Sequence, residues 1–177
     1  MFNRPYMAIN FQHMKKTVIF LFLALVSLGA MANGPVDKNL QTLPTFKDAK
    51  VGEAVGHYLA LKDALVASKT DVAKKASADL TKTLAAITTA KKAGAEAAKV
   101  AAAPSIAEQR KAFTALSTEM TTLAKESELT DGSLYLQFCP MANNNSGGSW
   151  LAVEKDIKNP YFGDMMLKCG SVKETIE

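Results

Sequence analysis

Apolar residues recur at steps of three and four through the central part of the chain. Between residues 51 and 68 they fall at Val51, Val55, Tyr58, Leu61 and Leu65. Between 71 and 92 they fall at Ala73, Ala76, Leu80, Leu84 and Ile87, and between 105 and 127 at Ile106, Phe113, Leu116, Met120 and Leu123. That spacing places each set on one face of a helix. The third segment opens with Pro104 and then Ser105-Ile106-Ala107-Glu108, a capping-box signature. Three helices with one apolar stripe each bury those stripes against one another. The alanine- and lysine-rich stretch 93–103 either extends the second helix or forms a short fourth, with Gly94 as the point of a break.

After the turn signal Asp131-Gly132 the pattern changes. Leu134-Tyr135-Leu136-Gln137-Phe138 reads as a short extended segment leading into Cys139. Residues 140–170 are dense in Gly, Pro and Asn and read as loop, with a helical turn at 164–169. The expected fold class is therefore mainly α: a three- to four-helix bundle with a loop-rich C-terminal motif and at most a short strand.

The N-terminal stretch reads as a leader. Met14-Lys15-Lys16 is a positive start, residues 17–28 are almost wholly apolar, and Ala30-Met31-Ala32 supplies an A-x-A site with the cut before Asn33. The apolar run is shorter than the roughly 20 residues of a spanning helix. Met14 is read as the initiator, a longer n-region being the alternative. These signals suit a periplasmic or secreted protein with no membrane span in its mature form. Residues 33–49 read as a linker and 50–177 as one domain. The 177-residue chain carries a formal charge of +4. Without Arg4, Lys15 and Lys16, 18 bases face 17 acids, so the basicity belongs mostly to the leader and implies no nucleic-acid partner.

The chemistry is concentrated in the last forty residues. Cys139-Pro140-Met141 and Met165-Met166-Leu167-Lys168-Cys169 carry both cysteines, thirty positions apart. Thiolate and thioether sulfurs are soft donors that select Cu(I), and Ag(I) shares that preference. Met141 follows Cys139 by two, and Met166 precedes Cys169 by three. The expected ligands are Cys139, Met141, Met166 and Cys169, with Met165 and His57 as accessory candidates. The competing reading is a disulfide, the ordinary state of paired cysteines in an exported protein. It would contribute roughly 3–4 kcal/mol for a loop of about 30 residues. Oxidised cysteines would form the bridge and reduced ones bind metal. Methionines also serve as core filler, which is the reading for Met120.

Trp150, Tyr161 and Phe162 are expected to pack the tail onto the bundle, or to wall a metal site. Asn143, Asn144 and Asn145 suit a turn. Arg110, the sole arginine after the leader, is expected to pair with Glu108 or another acid. No nucleophile elbow, acid–histidine arrangement or phosphate loop is present, so an enzyme is not expected.

Three stretches are similar to one known family. Tyr58-Leu59-Ala60-Leu61-Lys62-Asp63-Ala64-Leu65-Val66, the run from Glu108 to Ser117, and Leu134-Tyr135-Leu136-Gln137-Phe138-Cys139-Pro140-Met141-Ala142 resemble a domain of unknown function. Trp150-Leu151, Asn159-Pro160-Tyr161-Phe162-Gly163, Met166 and Cys169-Gly170 continue the likeness, which spans about residues 50–172. That domain is often fused to periplasmic adaptor subunits of heavy-metal efflux systems. The resemblance implies a helical domain linked to copper, silver or other heavy-metal export, here as a stand-alone secreted protein. An efflux adaptor or another periplasmic protein is the implied partner. In the family pattern Met165 stands where lysine is common.

Overall fold

A computed structural model describes residues 43–177. The leader and most of the linker expected from the sequence lie outside the described residues. Strand β1 (Thr45–Phe46) comes first, and helix α1 (Ala49–Val66) starts where the Asp48 carboxylate accepts from the Lys50 backbone N–H at 2.8 Å. Ser68 then turns left-handed (φ 55°), and the Lys69 N–H reaches back to the Ala64 carbonyl, which stops the helix. Helix α2 (Thr70–Ala85) follows. It does not run on to residue 92, because Ile87 is extended and Thr88–Ala90 forms a single 3-10 turn. The β-branched run Ile87-Thr88-Thr89 loses side-chain freedom in a helix, so the break falls there and not at Gly94. Gly94 lies inside helix α3 (Lys91–Ala102), against Leu84.

Helix α4 (Ile106–Glu126) begins as the capping signature requires: Ser105 Oγ accepts from the Glu108 N–H at 3.3 Å and lies 3.2 Å from its carboxylate. Each helix packs on its neighbour in sequence, and α1 closes on α4.

The expectation of a helical bundle with at most a short strand is corrected here. The chain adds two sheets to its helices. β1 pairs antiparallel with β2 (Leu129–Asp131). A second sheet has the order β4-β3-β5, all antiparallel, from β3 (Leu134–Cys139), β4 (Gly148–Ala152) and β5 (Ser171–Ile176). Between β3 and β4 lies a four-residue turn, α5 (Ala142–Asn145), and a 3-10 turn occupies Gly163–Met165. The missed strands lie in the segment read as loop and at its end. β4 reads Gly-Ser-Trp-Leu-Ala without alternation, and β5 is apolar only at Val172 and Ile176 and almost wholly exposed, so neither shows a buried-strand pattern. β1 also places part of the expected linker in a sheet. Among the described residues no helix is long and apolar enough to cross a membrane.

The sheet is joined to the helices at a continuous buried aromatic group. Tyr58 of α1 stacks on Phe113 of α4 at 5.4 Å, Phe113 meets Tyr161 at 5.7 Å, and Tyr161 meets the edge of Trp150 at 6.1 Å. The Tyr58 hydroxyl lies 2.7 Å from Ser117 Oγ and accepts from the Leu151 N–H of β4 at 3.1 Å. Burial holds that phenol far above its ordinary pKa, so it remains a neutral donor. A second tie is ionic. Lys62, whose side chain is only 1% exposed, contacts Glu154 and Asp63, each at 2.7 Å. Burial pushes the Glu154 carboxyl up, but Lys62 and the more distant Lys158 outweigh that effect and hold it below the ordinary carboxylate range.

Tyr58→Phe keeps the stacking but leaves the Leu151 N–H unpartnered. It is expected to cost about 1–3 kcal/mol in urea unfolding; an unchanged midpoint would show that the hydroxyl is dispensable. Lys62→Met leaves the buried Glu154 with only the more distant Lys158, at 3.6 Å, and is expected to cost about 3 kcal/mol at pH 7. In the parent, the stability due to Glu154 is complete above about pH 4.3, the unfolded value, and is lost as pH falls through the lower folded value. In Lys62→Met the sign reverses, because mild acid neutralises the stranded carboxyl. Unfolding curves of both proteins from pH 7 to pH 4 test this, and parallel profiles would count against the buried pair.

Candidate functional site

The two cysteines, thirty residues apart in sequence, are neighbours in space. Cys139 ends β3 and is completely buried, opposite Gly148 of β4. On the other side, the last register pair of β3 and β5 is Phe138 with Ser171. One step beyond it the chain carries Gly170 and Cys169 past Cys139. The Cys169 thiol is held above its ordinary pKa, first by hydrogen bonding with the Cys139 sulfur and then by burial, while the Met141 backbone N–H pulls the other way. Both cysteines are free thiols.

Two features fix Cys169 there, and a third holds the nearby chain. Asn159 is fully buried and works at three points: its amide donates to the Cys169 carbonyl at 2.8 Å, its side-chain oxygen accepts from the Tyr161 N–H at 2.8 Å, and its backbone N–H bonds the Leu167 carbonyl at 2.9 Å. Gly170 (φ 144°) has no room for a side chain, since a Cβ would lie 3.0 Å from the Phe138 carbonyl oxygen and 3.0 Å from the Trp150 ring. Gln137 donates to the Glu154 carbonyl at 2.7 Å, holding the chain as it leaves β4.

Beside the thiol pair lies a surface groove of about 670 Å³. Met141, Met165 and Met166 line it, together with Phe162, Arg110 and Lys111 and the three-asparagine turn. Met141 is 48% exposed and Met165 76%, so neither is core filler. Met120 is buried in the core. Asn143, Asn144 and Asn145 are all left-handed (φ 52°, 55° and 68°), a conformation that asparagine tolerates better than most residues. The Asn143 amide closes the turn on the Gly147 carbonyl at 2.9 Å.

Of the expected ligands, the structure brings Cys139 and Cys169 together, and gathers Met141, Met166 and Met165 in the adjoining groove. It does not bring His57 there. His57 lies nine residues before the end of α1, about 13 Å along the axis, with Glu53 one turn away at 3.9 Å. Among the described residues no three His, Cys, Asp or Glu side chains converge as a metal-ligand set. A metal here would therefore depend on two thiols and on methionine.

Arg110 does not pair with Glu108. Its guanidinium donates to the carbonyls of Leu65 and Pro160 and to Ser68 Oγ, each at 2.9 Å, tying α4 to the end of α1 and to the tail. Gly163 (φ 58°) permits this, because a Cβ there would lie 2.6 Å from the guanidinium. Neither Asn159 nor Arg110 was assigned this role from the sequence. Their partners are mostly backbone groups, up to fifty positions away, and only the uniqueness of Arg110 singles it out.

Gly170→Ala is expected to push Cys169 off Cys139. Oxidised glutathione should convert the parent to an intramolecular disulfide, and the variant several-fold more slowly, with about 1–3 kcal/mol lost to overpacking. Equal oxidation rates would show that Gly170 does not set the thiol contact.

No curated protein and no solved structure is matched by this chain. Residues 54–132, which run from α1 to the turn before β3 and stop short of every sulfur residue of the site, match the model of a family described as a protein of unknown function (DUF3347).

Proposed function

We propose that this chain is a soft-metal-binding module of the bacterial periplasm that takes up Cu(I) or Ag(I) in heavy-metal export or resistance. The carrying observation is the adjacency of the Cys139 and Cys169 thiols beside a groove lined by methionine thioethers. Two thiolates are the strongest soft donors a protein offers, and Met141 and Met166 flank them on the chain. The Met141 N–H directed at Cys169 only partly offsets the Cys139 hydrogen bond and the burial that hold this thiol above its ordinary pKa, so a bound metal has to displace the proton. The A-x-A leader and the likeness to a domain of efflux adaptors support the periplasmic setting and an adaptor, or another envelope protein, as partner.

A second reading is favoured by the complete burial of Cys139. In it the two thiols form a permanent disulfide, and the module docks onto an efflux or envelope partner without metal. Thiol counting on protein taken from the periplasm separates the two readings: no free thiols, together with no metal uptake after reduction, supports the staple.

For the metal reading, reduced protein should withdraw one equivalent of Cu(I) from a strong chromophoric chelator under anaerobic conditions. The Cys139→Ser/Cys169→Ser double variant should withdraw none. Equal withdrawal by both proteins would remove the thiol site.

A further inference from the structure

Of the five large apolar side chains exposed among the described residues, two, Met141 and Met165, face the same groove. Scattered exposed apolar residues need no explanation, but methionines converging from two separate segments do. Met141 enters from the end of β3 and Met165 and Met166 from the turn after Gly163. The cysteines do not line this groove.

The turn that follows Met141 has an unusual backbone. Three successive residues after Ala142 are left-handed and none is glycine. Asparagine bears that conformation at lower cost than most residues, and the Asn143 amide closes the turn on Gly147, so this wall of the groove is defined. On the opposite wall Arg110 and Gly163 fix the turn that carries Met165 and Met166.

We propose that Met141, Met165 and Met166 form a second soft-cation site, separate from the thiol pair, that holds Cu(I) or Ag(I) even when Cys139 and Cys169 are disulfide-bonded. The proposal takes only its metal class from the function proposed above. Thioethers are neutral and stay unionised at any pH, so this site needs neither reduction nor deprotonation. No carboxylate lines the groove, which disfavours hard divalent cations. Arg110, committed to three oxygen acceptors, and Lys111 both line the groove, while Asp164 acts on Arg110 from nearby, so the lining itself carries net positive charge. A monovalent ion meets half the repulsion that a divalent ion would. The charge and the donor set thus select the same ions.

The test uses purified protein oxidised until no thiol titrates, in chloride-free buffer, with Ag(I) as the probe. Calorimetry should find one bound equivalent. With methyl-labelled methionine, the NMR signals of Met141, Met165 and Met166 should move and that of buried Met120 should stay. The Met141→Leu/Met165→Leu/Met166→Leu variant keeps size and apolarity, and its affinity when oxidised should fall by at least about tenfold, or 1.4 kcal/mol. No Ag(I) binding by oxidised protein, or equal binding by the triple variant, overturns the groove site. Because the thiol site is read with reduced protein against a strong chelator, it stands or falls separately.

Discussion

The phenol of Tyr58 lies where two helices and a strand converge, and its oxygen is shared between Ser117 of α4 and the Leu151 N–H of β4. A strand backbone buried against a helix needs a partner for every N–H, and here one side chain supplies it. The ring of the same residue begins the aromatic contacts that reach Trp150. Sheet position, and with it the position of Cys139, follows from this joint. Lys62 and Glu154 repeat the connection in ionic form, from the same helix to the chain just beyond β4.

The site is built on that frame in two layers. The inner layer is the thiol pair, closed in by β4 and held by Asn159 and Gly170. The outer layer is the thioether groove, shaped by the asparagine turn and by Arg110. Both rest on polar ties to backbone carbonyls, so the segment read as loop has a defined course with little regular structure. Asn159 alone fixes three points of it.

The helices were legible because each carries a repeating apolar stripe, and Ser105 and Glu108 marked the start of α4. The end of α2 was misplaced because periodicity continues through Ile87 while the β-branched run there favours extended backbone. The three-stranded sheet was not legible beyond β3. Glycine and serine dilute β4, and β5 buries too little to show a face and slips register at Lys173, which has no partner between Leu136 and Gln137 of β3. The meeting of the two sulfur segments could be expected from cysteine count and methionine spacing. That Met141 and Met165 stand exposed in one groove depends on the tertiary placement of two separate segments, which no periodicity reports.

The closing strand depends on what happens at Cys169. β5 is an outer strand, paired only with β3, and its side chains add little burial. It enters the sheet straight after Cys169 and Gly170, so the thiol contact acts as its anchor peg. A covalent or metal bond at that peg shortens the free end that can fray, while a lost contact leaves the strand to its ladder alone. Amide exchange along residues 171–176 is thus a built-in gauge of the chemical state of the sulfur centre.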